Sequence, residues 1–195
     1  MVNSSRVAIT GSSDYTLEFW FKAAAGQKED AALVANGKGV GEESNGNANK
    51  VFVGFVDNEL LFRNNGYEQK VAGNFRDGAW HHFVLAVNRT AGNAQIFMDG
   101  VLNSYFDASN IGGFSATQLY AGARRWTETE QMVNHTDMYL DGAIDELRIW
   151  NMALPASTVS NNYNISPEGT EMGLMMYLPF SKYITNRANI QERFD

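Results

Sequence analysis

Tyr15-Thr16-Leu17-Glu18-Phe19-Trp20-Phe21-Lys22 is the stretch on which the reading of the fold turns. Apolar Tyr15, Leu17, Phe19 and Phe21 alternate with Thr16, Glu18, Trp20 and Lys22, a period of two that sets one row of side chains against a core. Trp20 breaks the polar row, so that face is either partly covered or a surface on which an aromatic ring is useful. The alternation returns at Trp80–Arg89, sending Trp80, His82, Val84 and Ala86 one way and His81, Phe83, Leu85 and Val87 the other. Adjacent His81 and His82 therefore cannot line one site, and both read as structural histidines rather than metal ligands.

Outward from these two strands, turn chemistry places two hairpins. Val51–Val56 and Glu59–Arg63 flank Asp57-Asn58, while Ala94–Met98 and Val101–Phe106 flank Asp99-Gly100; both dipeptides tolerate the positive φ of a tight primed turn. Asp99 thus reads as a turn residue. Further strands are expected at Ser5–Thr10, Ala31–Asn36, Thr117–Ala123, Met138–Asn151 and Gly173–Phe180, giving about ten to thirteen at the spacing of an antiparallel sandwich. One helix signal appears, Leu154–Tyr163, with Pro155 near its first turn and Val159 and Tyr163 four apart. A doubly wound nucleotide fold would need many more helices and a Gly-rich phosphate loop.

The 195 residues carry 15 Lys+Arg against 22 Asp+Glu, a formal charge of −7. That deficit of cations argues against a nucleic-acid binder, which needs a basic face. With 44% apolar and only 19% charged residues the chain is not intrinsically disordered, and its length suits one large domain. The lack of cysteine excludes disulfides, thiolate nucleophiles and Cys-ligated metals. Apolar runs such as Phe83–Val87 and Leu174–Phe180 fall well short of the ~20 residues of a membrane span. Met1–Arg6 holds no apolar signal region; the chain reads as a domain, 1–180, cut from a longer protein, with 181–195 a linker or the start of a following module.

Five blocks in order, Tyr15–Lys22, Trp80–Val87, Ile96–Val101, Leu119-Tyr120-Ala121-Gly122 and Asp141–Asn151, followed by Ala153-Leu154-Pro155 and a short helix, resemble the laminin G-like, concanavalin A-like jelly-roll domains over roughly residues 5 to 163. The resemblance implies an all-β jelly roll of two antiparallel sheets with one short C-terminal helix. It also implies a non-catalytic, extracellular or cell-surface module that binds glycans or proteins, often with calcium. The tail Gly173–Asp195 resembles segments leading into neighbouring modules of large bacterial surface proteins.

Within that frame, strand alternation groups Asp145 with Leu147 and Ile149 on the inner side, and Glu146 with Arg148 and Trp150 on the other. An inward carboxylate needs backbone donors, a basic partner or a cation. In related jelly rolls an acid here can join a calcium site, so Asp145 is the candidate metal ligand; the alternative is an Asp that fixes its own loop. Glycoside hydrolases of this fold place two acids facing one cleft at about 5–5.5 Å. Asp145 and Glu146 alternate to opposite sides, which argues against such an enzyme.

In the pentraxin branch the segment after the Leu-Tyr-x-Gly-like strand supplies calcium ligands; here it reads Ala123-Arg124-Arg125-Trp126. Two guanidiniums beside an indole can bind a carboxylate, a sulfate or an acidic sugar and stack on a ring, or else pair with surface acids while Trp126 packs on the sandwich. The polar loops Asn36–Lys50 and Arg124–Asp137 are where specificity should lie. Arg124, Arg125 and Trp126, with Trp20 on the sheet face, are the candidate ligand-binding residues. The competing readings are a structural or adhesin spacer without a small ligand, and a glycan hydrolase.

Overall fold

The computed structural model describes residues 8–27, 29–36, 51–115, 119–128 and 133–180, excluding the side chains of 8, 115, 125–128 and 133–135. The expected loop Asn36–Lys50, from residue 37 on, and the expected linker 181–195 lie outside the described residues. The strands are β1 (Ala8–Ile9), β2 (Tyr15–Ala23), β3 (Ala31–Ala35), β4 (Val51–Val56), β5 (Glu59–Asn64), β6 (Tyr67–Val71), β7 (Trp80–Asn88) and β8 (Asn93–Met98). They continue with β9 (Val101–Asp107), β10 (Phe114–Ser115), β11 (Tyr120–Ala121), β12 (Arg124–Glu128), β13 (Val133–Asp137), β14 (Gly142–Trp150) and, after α1 (Ala156–Asn162), β15 (Leu174–Leu178).

Two antiparallel sheets form a jelly-roll sandwich: six strands in the order β15-β14-β2-β7-β8-β9 face five in the order β11-β3-β4-β5-β6. The alternating row of β2 makes the core. Tyr15, Leu17, Phe19 and Phe21 are fully buried, Phe19 stacks on Phe83 of β7 at 5.2 Å, and Phe21 meets Phe55 of the opposite sheet edge-on at 6.1 Å. Each such ring removed from water contributes about 1.5–3 kcal/mol.

Both expected hairpins form, with Asp57 (φ 50) and Asn58 (φ 68), and Asp99 (φ 51) and Gly100 (φ 77), in the left-handed region. A third turn of the same chemistry, Asn65 (φ 50) and Gly66 (φ 81), joins β5 to β6, and it accounts for one strand beyond the expected count. Met138–Asn151 is shorter than anticipated: β14 starts at Gly142, and Met138 itself has φ 51.

The second face of the six-stranded sheet is also covered. Val84 and Phe97 lie beneath Trp150, Leu154 and Val159, so α1 and its connections cap this face as a second, smaller core. Ser160 Oγ donates to Gly100 O at 2.7 Å. A Cβ at Gly100 would sit 3.0 Å from the Tyr163 ring, so this turn needs glycine both for its φ and for the helix packed over it.

Candidate ligand-binding rim and the buried charge network

Within 124–137, expected as a long polar loop, β12 pairs antiparallel with β13 in a hairpin whose tip, 129–132, lies outside the described residues, and His135 lies in a strand rather than a loop. The paired chain is extended because cross-strand pairing satisfies the backbone without any apolar row. Arg124 Nε and Nη2 donate to Asp137 Oδ1 and Oδ2, both at 2.7 Å. This bidentate pair locks the base of the hairpin. The register sets Arg125 opposite Thr136 and Trp126 opposite His135; the side chains of Arg125 and Trp126 lie outside the described residues.

Beside the hairpin base stands Tyr139, 63% exposed, which the sequence reading overlooked. Its hydroxyl donates to Thr136 O at 3.2 Å, and its own carbonyl accepts from Gln27 Nε2 at 2.8 Å. Gln27 Oε1 in turn accepts from the Asp141 amide at 3.0 Å. The rim is therefore fixed to the 24–27 loop by side-chain bonds that span more than a hundred residues of sequence. No periodic signal marks Tyr139; only its position next to the hairpin makes it conspicuous.

Trp20 does lie on the outer face of the six-stranded sheet, opposite His82 on one side and Asp145 on the other. Its ring is not bare. It packs against His82 at 5.0 Å and stacks on Tyr163 at 6.0 Å, so of the two expectations for this face, partial cover is the one realised.

The inward placement expected for Asp145 is corrected by the structure. Between Asp145 and Arg148 the pairing with β2 slips by one residue, a β-bulge with Glu146 at φ 53. Asp145 thereby shares Trp20's outer face, and Asp145 Oδ1 accepts the Glu146 amide at 2.9 Å. The same bulge removes the argument that Asp145 and Glu146 face opposite sides. Glu146 reaches the outer-face residues too, its Oε2 accepting from Arg148 Nη2 at 2.9 Å and from the Tyr177 hydroxyl at 2.7 Å.

Arg148 is the hub of this layer. Its Nη1 donates to Glu18 Oε1 at 3.4 Å and its Nη2 also reaches Ile165 O at 3.1 Å. Trp150 Nε1 donates to Glu18 Oε1 at 2.7 Å, and His82 Nε2 lies 3.3 Å from Glu18 Oε2. Burial alone would push the Glu18 carboxyl up, but the His82 bond, the Arg148 charge and the Trp150 bond together hold it below the usual glutamate range. Burial also raises the Tyr177 hydroxyl, reinforced by its bond to Glu146. With Glu18 4% and Glu146 8% exposed, these carboxylates are closed off from solvent beneath the 151–173 connection rather than aligned along a cleft.

His81 points to the other side of its strand, as alternation requires. Its Nδ1 lies 2.9 Å from Asp99 Oδ2 and its Nε2 3.1 Å from Asp77 Oδ1. Burial would lower its pKa, but the bonds to Asp99 and Asp77 and their charges hold it above the ordinary value. Among the described residues, no group of three or more His, Asp or Glu side chains is arranged to hold a metal ion, and no helix is long and apolar enough to cross a membrane.

Two antiparallel sheets with a helix-capped outer face make this a jelly-roll β-sandwich. A laminin G model of the concanavalin A-like lectin/glucanases superfamily matches residues 2–160, and the chain belongs to that family. No curated protein matches. Among solved structures it is similar to a putative carbohydrate-binding protein from Bacteroides ovatus, at 17% identity and TM-score 0.65 over 86% of this chain and 45% of that one. A heptameric SAP-like pentraxin from Limulus polyphemus gives 14% and 0.55 over 89% and 82%. The binding domain of botulinum neurotoxin serotype G gives 14% and 0.57 over 82% and 38%. The chain thus spans less than half of the Bacteroides protein; at these identities the likeness is one of fold.

Proposed function

We propose that this chain is a non-catalytic recognition module of an extracellular or cell-surface protein, binding carbohydrate or protein through its rim, with neighbouring modules in the parent chain. The observation that carries the reading is the rim itself: a hairpin locked by the Arg124–Asp137 fork, with the exposed Tyr139 ring beside it. A rigid polar fork next to an exposed aromatic is the kind of preorganised pair that binding loops use. The printed names of the similar structures, a putative carbohydrate-binding protein and a toxin binding domain, support a binding role. The closed-in state of Glu18 and Glu146 weighs against hydrolysis.

A glycan array probed with wild type, Trp126→Ala and Tyr139→Ala tests it. Binding lost in either variant supports the rim; an array without any binding favours the spacer reading. Sugar release from polysaccharides, abolished by Glu146→Gln, would favour the hydrolase. A calcium ion at Asp145 would draw its other ligands from backbone carbonyls or from groups outside the described residues, because no acidic cluster surrounds it among them. A melting midpoint lowered by chelator supports that ion, and an unchanged midpoint opposes it.

A further inference from the structure

Among the described residues, the cover of the outer face of the six-stranded sheet extends as far as Tyr163. Beyond it lies a row not absorbed by the second core: Ala143 of β14, Lys22 of β2 and Trp80 of β7, directly opposite one another and so on one face. Trp80 is 45% exposed. Its outward direction is forced, because the flanking His81 and Phe83 of the period-two strand point to the core side. The next row, Asp145, Trp20 and His82, borders it, with Trp20 packed under Tyr163.

The segment that presents Trp80 is held on both sides. Gly78 N donates to Ala23 O at 3.0 Å and Ala79 N to Asp77 Oδ1 at 2.8 Å. His81 is clamped between Asp77 and Asp99, and the His82 amide donates to Asp99 Oδ1 at 2.8 Å. An exposed indole on a backbone fixed this thoroughly loses little freedom when a ring stacks on it. Lys22, the direct cross-strand neighbour of Trp80, brings its ammonium group to the same face.

We propose that Trp80 and Lys22 form a second carbohydrate subsite, distinct from the hairpin rim, that takes a neutral pyranose with its apolar face on the Trp80 indole and hydroxyls on Lys22. The chemistry selects that class. The indole offers a flat apolar surface and Lys22 offers donors. A net charge of −7 disfavours polyanions over neutral sugars. Cross-strand neighbours lie about 5 Å apart at Cβ, a span one sugar ring covers. This inference rests on the recognition reading above and assigns it a further contact.

The test is an NMR titration of the four tryptophan indole N–H signals with cellohexaose, mannohexaose and chitohexaose, repeated in Trp80→Ala, Lys22→Gln and Tyr139→Ala. A shift of the Trp80 indole by one of these sugars, with affinity about tenfold or more weaker in Trp80→Ala and reduced in Lys22→Gln, supports the subsite. Lys22→Gln is an exposed change that keeps the fold, so the result survives any failure of Trp80→Ala to fold. Binding unaffected by both variants but lost in Tyr139→Ala overturns the subsite and leaves the recognition reading intact; no binding of any sugar overturns both.

Discussion

Replacing Arg148 with Met removes the one cation among the described residues that touches both Glu18 and Glu146, whose carboxylates it meets at 3.4 and 2.9 Å. Met keeps most of the side-chain length, so the change is chiefly one of charge. Glu18 would retain its bond from Trp150 and Glu146 its bond from Tyr177, but two buried carboxylates would share a dry layer with no guanidinium between them. Breaking a buried ion pair from one side costs about 3–5 kcal/mol, and for a domain of this size that lowers the melting midpoint by roughly 6–20 °C.

The pH dependence has a definite sign. Without Arg148 the Glu18 carboxyl loses a charge that holds its folded-state pKa down, and burial, which raises it, prevails, so this carboxyl takes up a proton. The folded state then binds more protons, so the variant gains stability as pH falls, and its deficit is smaller at pH 5 than at pH 7. Urea unfolding followed by tryptophan fluorescence at both values measures this. Adding Glu18→Gln and Glu146→Gln should recover part of the loss. A deficit under about 1 kcal/mol, the scale of an exposed pair, or one that grows on acidification, would refute the assignment of Arg148 as the compensating charge.

Three further outcomes are expected. His81 has its pKa raised by Asp99 and Asp77, so its contribution to stability is full below about 6.5 and is lost as pH rises through the folded-state value. An NMR titration of His81 in Asp77→Asn should show that value fall, and an unchanged value would refute the clamp. Gly54→Ala drives a Cβ into Ala31 O and to 2.7 Å from the Phe52 ring, and should cost about 1–3 kcal/mol by overpacking. Gly66→Ala meets nothing within 4 Å, so only its φ of 81 counts, a penalty of about 1–2 kcal/mol; chemical denaturation in which Gly66→Ala proves the worse of the two would overturn the steric account.

The Asn65-Gly66 turn shows a signal that was present and passed over, since Asn-Gly is a strong short-range hairpin mark, and β6 follows directly from it. The β12–β13 hairpin is a different case. Arg124–Asp137 is mostly polar, and its Trp126, Met132 and Val133 do not alternate with the polar residues, so no period of two is there to read. The bulge at Glu146 was equally silent, because a single non-glycine residue at positive φ carries no local mark, yet it moved Asp145 to the opposite face.

By itself the sequence determined the sandwich, because a period of two repeated in Tyr15–Lys22 and Trp80–Arg89 can bury its apolar row only against a second sheet. It determined two tight turns and the short helix for the same reason, each being written in local residue chemistry. Tertiary structure alone decided that Glu18 and Glu146 share one guanidinium, that Trp20 lies under Tyr163 while Trp80 stays open, and that Tyr139 stands beside the Arg124–Asp137 fork. These depend on contacts between residues up to 143 positions apart, as in Trp20 and Tyr163, where a one-residue slip in pairing exchanges the two faces of a strand and no local pattern records which pairing will form.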